Sequence, residues 1–218
     1  MAYAYVASTG TNTSTVTGSI NTTGANLIVL VNALDTGTMT TPTDSKGNVY
    51  NALTASVVGT DDQVRLFYLF NPIVGTGHTF TQAANYGMLG ALAVSGAVTN
   101  PFDQQNGATN AATVSLATGS ITPSESSELI IGGWLVGGTN SAHSVGGGFT
   151  IGTNNDFNGT NGVRYGGTLA YLIQTTATAA NPTLSWTGSV PAAARIASFK
   201  DTPAVTVKHH LASLGVGR

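Results

Sequence analysis

No cysteine occurs among these 218 residues, which removes disulfides, thiolate metal sites and cysteine nucleophiles together. Charge is almost as scarce. Asp, Glu, Lys and Arg make up 7% of the chain, against roughly 25% in an average soluble domain. The seven Lys and Arg are scattered singly and the net charge is −2. Duplex binding needs a basic stripe that neutralises phosphates, and an anionic membrane surface selects the same feature. Neither nucleic acid nor membrane is therefore expected as a partner. No apolar run approaches the roughly 20 residues of a membrane-spanning helix. The start, Met1-Ala2-Tyr3-Ala4-Tyr5-Val6, has neither the basic nor the long apolar region of a secretory signal, so synthesis in the cytoplasm is expected. Helix formers are sparse as well, with two Glu and three Lys in all.

What the chain does have is Thr, Ser, Asn and 28 Gly around short apolar runs, with 41% hydrophobic residues overall. Thr favours strands, while Gly and Asn accept the positive φ of tight turns. Strand-length runs appear at 26–34 (NLIVLVNAL), 64–70, 88–95, 128–136, 168–173, 183–187 and 193–200. Shorter candidates lie at 3–7, 14–20, 49–53, 79–81 and 113–116. No stretch sustains a 3.6-residue period. Asp44-Ser45-Lys46-Gly47-Asn48 signals a turn and a hairpin, and the polar run 154–162 reads as a surface loop.

A weak internal repeat organises these runs. Gly18-Ser19-Ile20 returns as Gly119-Ser120-Ile121, Leu27-Ile28-Val29 as Leu129-Ile130-Ile131, and Tyr68-Leu69-Phe70 as Tyr171-Leu172-Ile173. Thr79-Phe80-Thr81 matches Thr183-Leu184-Ser185, and Leu92-Ala93 matches Ile196-Ala197, with offsets climbing from 101 to 104. Two small sandwiches or one doubled sandwich would both give this pattern. The absence of a long flexible linker over 96–112 favours one all-β, jelly-roll-like antiparallel β-sandwich over 1–200, with half-repeats of about 1–100 and 101–200. Residues 201–218 break the pattern and read as a C-terminal arm or a frayed end.

Catalytic signatures are missing. No G-x-S-x-G elbow occurs, and His78 and His143 sit in Gly-rich segments that suit exposed loops. The acid pairs Asp61-Asp62 and Glu125 with Glu128 lie in turns where solvated carboxylates are ordinary, unlike the opposed acids of a glycosidase. No EF-hand or RTX spacing is present. His209 and His210 are adjacent, so on a strand they would face opposite ways and not share a metal. No enzyme activity and no cofactor are expected. Trp134, Trp186, Tyr165 and Phe157 are available for a surface glycan, although both tryptophans fall in apolar strands where a core role is favoured.

Several stretches together resemble a β-sandwich domain of bacteriophage virion proteins that also occurs in secreted, adhesin-like bacterial proteins. They are 26–31 (NLIVLV), 44–50 (DSKGNVY), 64–68 (VRLFY), 92–97 (LAVSGA) with Pro101-Phe102-Asp103, 128–132 (ELIIG) and 197–200 (ASFK). The resemblance spans residues 1 to about 200. It implies a capsid decoration (cement) protein in the virion, assembled in the host cytoplasm, forming a homotrimer and binding the major capsid protein or other virion subunits. A fibre, tail or carbohydrate-binding adhesion module is the alternative. On this reading Val207, Lys208, His209, His210 and Leu211 in the arm are the candidate partner contacts.

Overall fold

The computed structural model describes residues 2–83, 86–159 and 165–201. The chain is all-β, two antiparallel sheets packed face to face as a jelly-roll-like sandwich. The first sheet contains β1 (Ala4–Thr11), β2 (Leu27–Leu34), β4 (Asn51–Ala52), β5 (Ser56–Val58), β6 (Asp62–Phe70) and β8 (Gly87–Ser95). Its order is β1-β8-β2-β6-β4, with β5 also on β6. The second contains β9 (Ala97–Ala117), β10 (Glu128–Gly137), β11 (Ser141–Val145), β12 (Thr150–Phe157), β13 (Tyr165–Gln174) and β14 (Thr183–Asp201). Its order is β11-β14-β10-β13-β12, with β9 also on β14. A ribbon of β3 (Thr43–Asp44) and β7 (Phe80–Thr81) lies outside both sheets.

Each half of the sequence thus builds one sheet, and the two sheets share a strand order. β1, β8, β2 and β6 of the first correspond to β9, β14, β10 and β13 of the second. Across the sandwich β2 packs on β10, β8 on β13, β6 on β14, β1 on β12 and β5 on β9. Those pairs exchange under the correspondence, so an approximate two-fold axis runs between β2 and β10. The halves are joined by Gly96 alone, at φ 105°. A Cβ there would lie 2.7 Å from the Ala2 carbonyl oxygen, so only glycine makes this crossover without strain.

The ladders also correct the alignment of the repeat. Val29 pairs with Leu92 and Ile131 with Ala197, so Leu92 corresponds to Ala197, one residue beyond the sequence match. A one-residue slip would turn every side chain of that strand to the other face. The short strand shifts too: Thr81 bridges Val16 as Thr183 pairs with Ala117. The Gly-Ser-Ile match holds, because Ile20 bridges His78 as Ile121 bridges Ala180.

β2 and β10 are buried along their whole length, which explains their continuous apolar sequence: both faces are covered. Leu27, Val29, Val31 and Ala33 meet Leu129, Ile131 and Leu135 in the core between the sheets. Ile28, Leu30 and Leu34 point the other way, beneath Met39, Tyr50 and Phe80. Ile130, Trp134 and Val136 point outward beneath Leu116, Phe149 and Trp186. Each fully buried side chain of this size contributes roughly 1.5–3 kcal/mol. The central strands approach closely at Gly133, where a Cβ would stand 2.6 Å from Val31 Cγ1.

Several local expectations are revised. The run 113–116 is the end of a 21-residue strand, β9, and 183–187 joins 193–200 in the bulged 19-residue β14. Asp201, read as the start of the arm, ends β14 opposite Ala97. The turn at 44–48 forms, with Asp44 Oδ1 accepting from the Lys46 and Asn48 amides at 2.9 and 3.1 Å. It is not a hairpin: β3 pairs with β7, and β4 with β6. Residues 150–157, partly read as a polar loop, are strand β12, and Asn155 within it is fully buried.

Candidate functional site

Several strand edges of the sandwich are bridged by side chains. β1 meets β12 through the Ser8 hydroxyl, which donates to the Thr153 carbonyl at 3.1 Å, and Tyr5 stacks on Tyr171 at 5.9 Å. On the opposite side the Ser56 hydroxyl donates to the Ala194 carbonyl at 2.9 Å. There Gln105 Oε1 accepts from the Thr54 amide at 3.0 Å and from Arg195 at 2.6 Å. The lower part of β9 is covered by side chains reaching the 119–125 segment, including Asn106 to the Ser120 carbonyl at 2.8 Å.

The upper part of β9 is different. Residues 108–115 pair with β14 on one side only, and their outward backbone groups have no strand partner among the described residues. Thr109, Asn110, Ala111 and Ala112 are exposed, and Val114 is 53% exposed. The segment ATNAATVS contains no charge and no proline, two of the devices that stop an edge strand from adding another strand; a third, the bulge, interrupts its ladder on either side of Thr113. This edge is the candidate assembly site.

Two buried histidines staple the loops. His78 Nε2 lies 3.0 Å from Asp44 Oδ2, and Nδ1 shares a 2.9 Å hydrogen bond with the Thr22 hydroxyl. Tyr50 donates to the same Asp44 oxygen at 2.6 Å. Burial raises the Asp44 pKa, but donors from Tyr50, Asn48 and His78 outweigh it and hold the carboxyl below its usual range. Burial and the Asp44 carboxylate push the Tyr50 phenol upward. His143 Nδ1 is 2.6 Å from Asp156 Oδ1, and its Nε2 is 2.7 Å from Asn140 Oδ1. The same Asn140 oxygen accepts from the Gly159 amide at 3.0 Å, while Nδ2 donates to the carbonyls of Val136 and Gly138.

The sequence suggested exposed loop histidines; both side chains have no exposed surface. His143 has a polar partner at each ring nitrogen, while His78 has Thr22 at Nδ1 and its Nε2 lies beside Asp44 without an aligned hydrogen bond; such partners offset the cost of burial. Among the described residues no group of three or more His, Asp or Glu side chains is placed to hold a metal ion.

The acids also differ from expectation. Asp62 is not an ordinary solvated turn residue: burial and a hydrogen bond with Asp35 push its pKa up to about 7. The two line a pocket of about 250 Å³ with Asp61 and Thr60. Glu128 is fully buried at the start of β10, and burial raises its pKa. Trp134 and Trp186 are core residues, 0% and 5% exposed, and Phe157 and Tyr165 are half-buried against the central core. The arm residues Val207, Lys208, His209, His210 and Leu211 lie outside the described residues. β9 was not identified as an edge from the sequence, although its lack of charge and proline over 108–115 was a readable signal. No family model, no curated protein and no solved structure matches the chain.

Proposed function

We propose that this chain is a structural subunit of a bacteriophage particle, a decoration protein that binds the outside of the head and bridges capsid subunits. The observation that supports it is the open edge of β9. An uncharged run of exposed backbone adds a neighbour's strand through main-chain hydrogen bonds, and oligomerisation multiplies weak contacts into firm attachment. The sequence resemblance to virion sandwich domains points the same way. The glycan-binding reading has less to stand on, because the tryptophans that would form a sugar platform are core residues.

Two measurements test the proposal. Purified particles should contain the chain in many copies by quantitative mass spectrometry, accessible to antibodies on the intact head. The double variant Ala111→Lys/Val114→Lys should fold normally, since both residues are exposed, yet fail to oligomerise and fail to bind particles. Particles without the chain, or a double variant that assembles as well as the native protein, would contradict it.

A further inference from the structure

The lower end of the outer face of the second sheet brings an amine, a carboxyl and a buried acid together. Lys200, near the end of β14, stands directly opposite Glu128, the first residue of β10. Asp103 reaches the same place through a bulge. Ser198 pairs with Gln104 and Phe199 with Phe102, so Asp103 is the extra residue on β9 and the bulge aims it beside Lys200. Bulges of this kind re-aim side chains at working sites. Lys200 Nζ is 3.3 Å from Asp103 Oδ1, and the Asp103 side chain is only 9% exposed.

Glu128 holds the turn before β10 through one of its oxygens and has Ser198 as a neighbour. It is fully buried, its Oε1 accepts from the Glu125 amide at 2.9 Å, and its Oε2 makes no hydrogen bond to a ready donor. A buried carboxyl is costly unless a specific neighbour uses it. That neighbour is Asp103, which shares a carboxyl–carboxyl contact with Glu128. Burial raises the Glu128 pKa, while the Ser124 amide and hydroxyl and Lys200 outweigh burial at Asp103 and hold its carboxyl below the usual range. The second carboxylate near Lys200, Glu125 at 3.9 Å, is 45% exposed and solvated.

We propose that Lys200 and Asp103 condense into an intramolecular isopeptide bond, with Glu128 carrying the protons. The Lys200 ammonium first passes a proton to the Asp103 carboxylate, giving an amine beside a carboxylic acid. Nζ attacks Cγ, the C–N bond forms and the carbonyl π pair moves onto oxygen. Glu128 protonates the departing oxygen, the C–O bond breaks and water leaves. The proton still on nitrogen returns to Glu128. One ammonium and one carboxylate become one neutral amide and one water, with Glu128 unchanged and no oxidant or cofactor needed. Nucleophile and electrophile held this close gain the usual advantage of an intramolecular reaction. The bond closes a covalent ring through most of the second half, tying the end of β14 to β9. This inference does not depend on the proposed function.

The test is intact-protein mass spectrometry of the full chain, purified folded and incubated at neutral pH. The expected mass is lower than the sequence mass by one water. A tryptic digest should show no cleavage after Lys200 and a branched peptide joining the segments around residues 103 and 200. Lys200→Arg keeps the ion pair but cannot form the amide, and should return to its full sequence mass with a lower Tm. Glu128→Gln keeps the shape of the acid without its proton exchange, and should remain at full mass or lose water far more slowly. Folded native protein at its full sequence mass overturns the proposal. A Glu128→Gln chain that cross-links at the native rate overturns the role of Glu128.

Discussion

The two halves of this molecule share a strand order and differ in what covers it. In the first half the outer face lies under a loop layer pinned by Asp44, Tyr50, His78 and Thr22, with Phe80 stacked on His78 at 4.5 Å. In the second half the corresponding face, which carries Trp134, lies under Leu116, Phe149 and Trp186, and its buried histidine sits at one end, holding β11 to β12. The position equivalent to Trp134 is Asn32, fully buried in the middle of β2. The inward faces are alike because each is the other's partner across the two-fold axis. The outer faces are covered by segments of their own half, in separate clusters, so the choice made in one half is not tied to the choice made in the other.

The strongest way to break that comparison is to strike both outer layers. Trp134→Ala and Phe80→Ala should each cost about 3–5 kcal/mol in denaturant unfolding. The two lie in separate clusters on opposite faces, so the double variant should show the sum of the two losses. A large coupling energy would mean that the outer layers are not independent.

The contact across the axis should behave in the opposite way. Gly133→Ala places a methyl 2.6 Å from Val31 Cγ1 and 2.9 Å from its Cγ2, and overpacking of this kind costs about 1–3 kcal/mol. Val31→Ala removes those methyls. The double variant should therefore lose clearly less than the two single losses combined, whereas simple additivity would show that the sheets do not meet there.

A smaller effect is a dependence on pH carried by the first half. Asp62 in the first half holds its proton up to about 7 in the folded chain, against about 4 for an unfolded aspartate. Between those values the folded state binds more protons than the unfolded state, so this group's contribution to stability falls as pH rises through the window. Asp62→Asn should flatten the stability profile between about pH 4 and 7. An unchanged profile would show that the Asp35–Asp62 contact holds no proton.

Much of this fold was legible in the sequence because it follows from covered apolar runs. A strand such as 26–34 with no polar alternation has to be buried on both faces, and it is. The repeat was legible for the same reason, since facing strands need matching apolar positions. Its register in β8 and β14 was not, because the small residues Ala91, Ala93, Ala193 and Ala197 give little contrast between the two faces. β9 was missed because an edge strand needs no apolar run, and β12 because Asn154-Asn155 is polar while Asn155 is buried by the approach of Gly10 and Gly152. The Asp103–Glu128–Lys200 cluster depends on a bulge and on cross-strand register, and neither is written in local sequence.

Hydrogen exchange followed by mass spectrometry tests most directly the claim that the two halves fold as one sandwich about a shared core. β2 and β10 should be the slowest segments and should exchange together, in a single cooperative step whose free energy equals that of global unfolding. Exchange of one of these strands well before the other, with the second sheet still protected, would contradict it and make the halves two independent units.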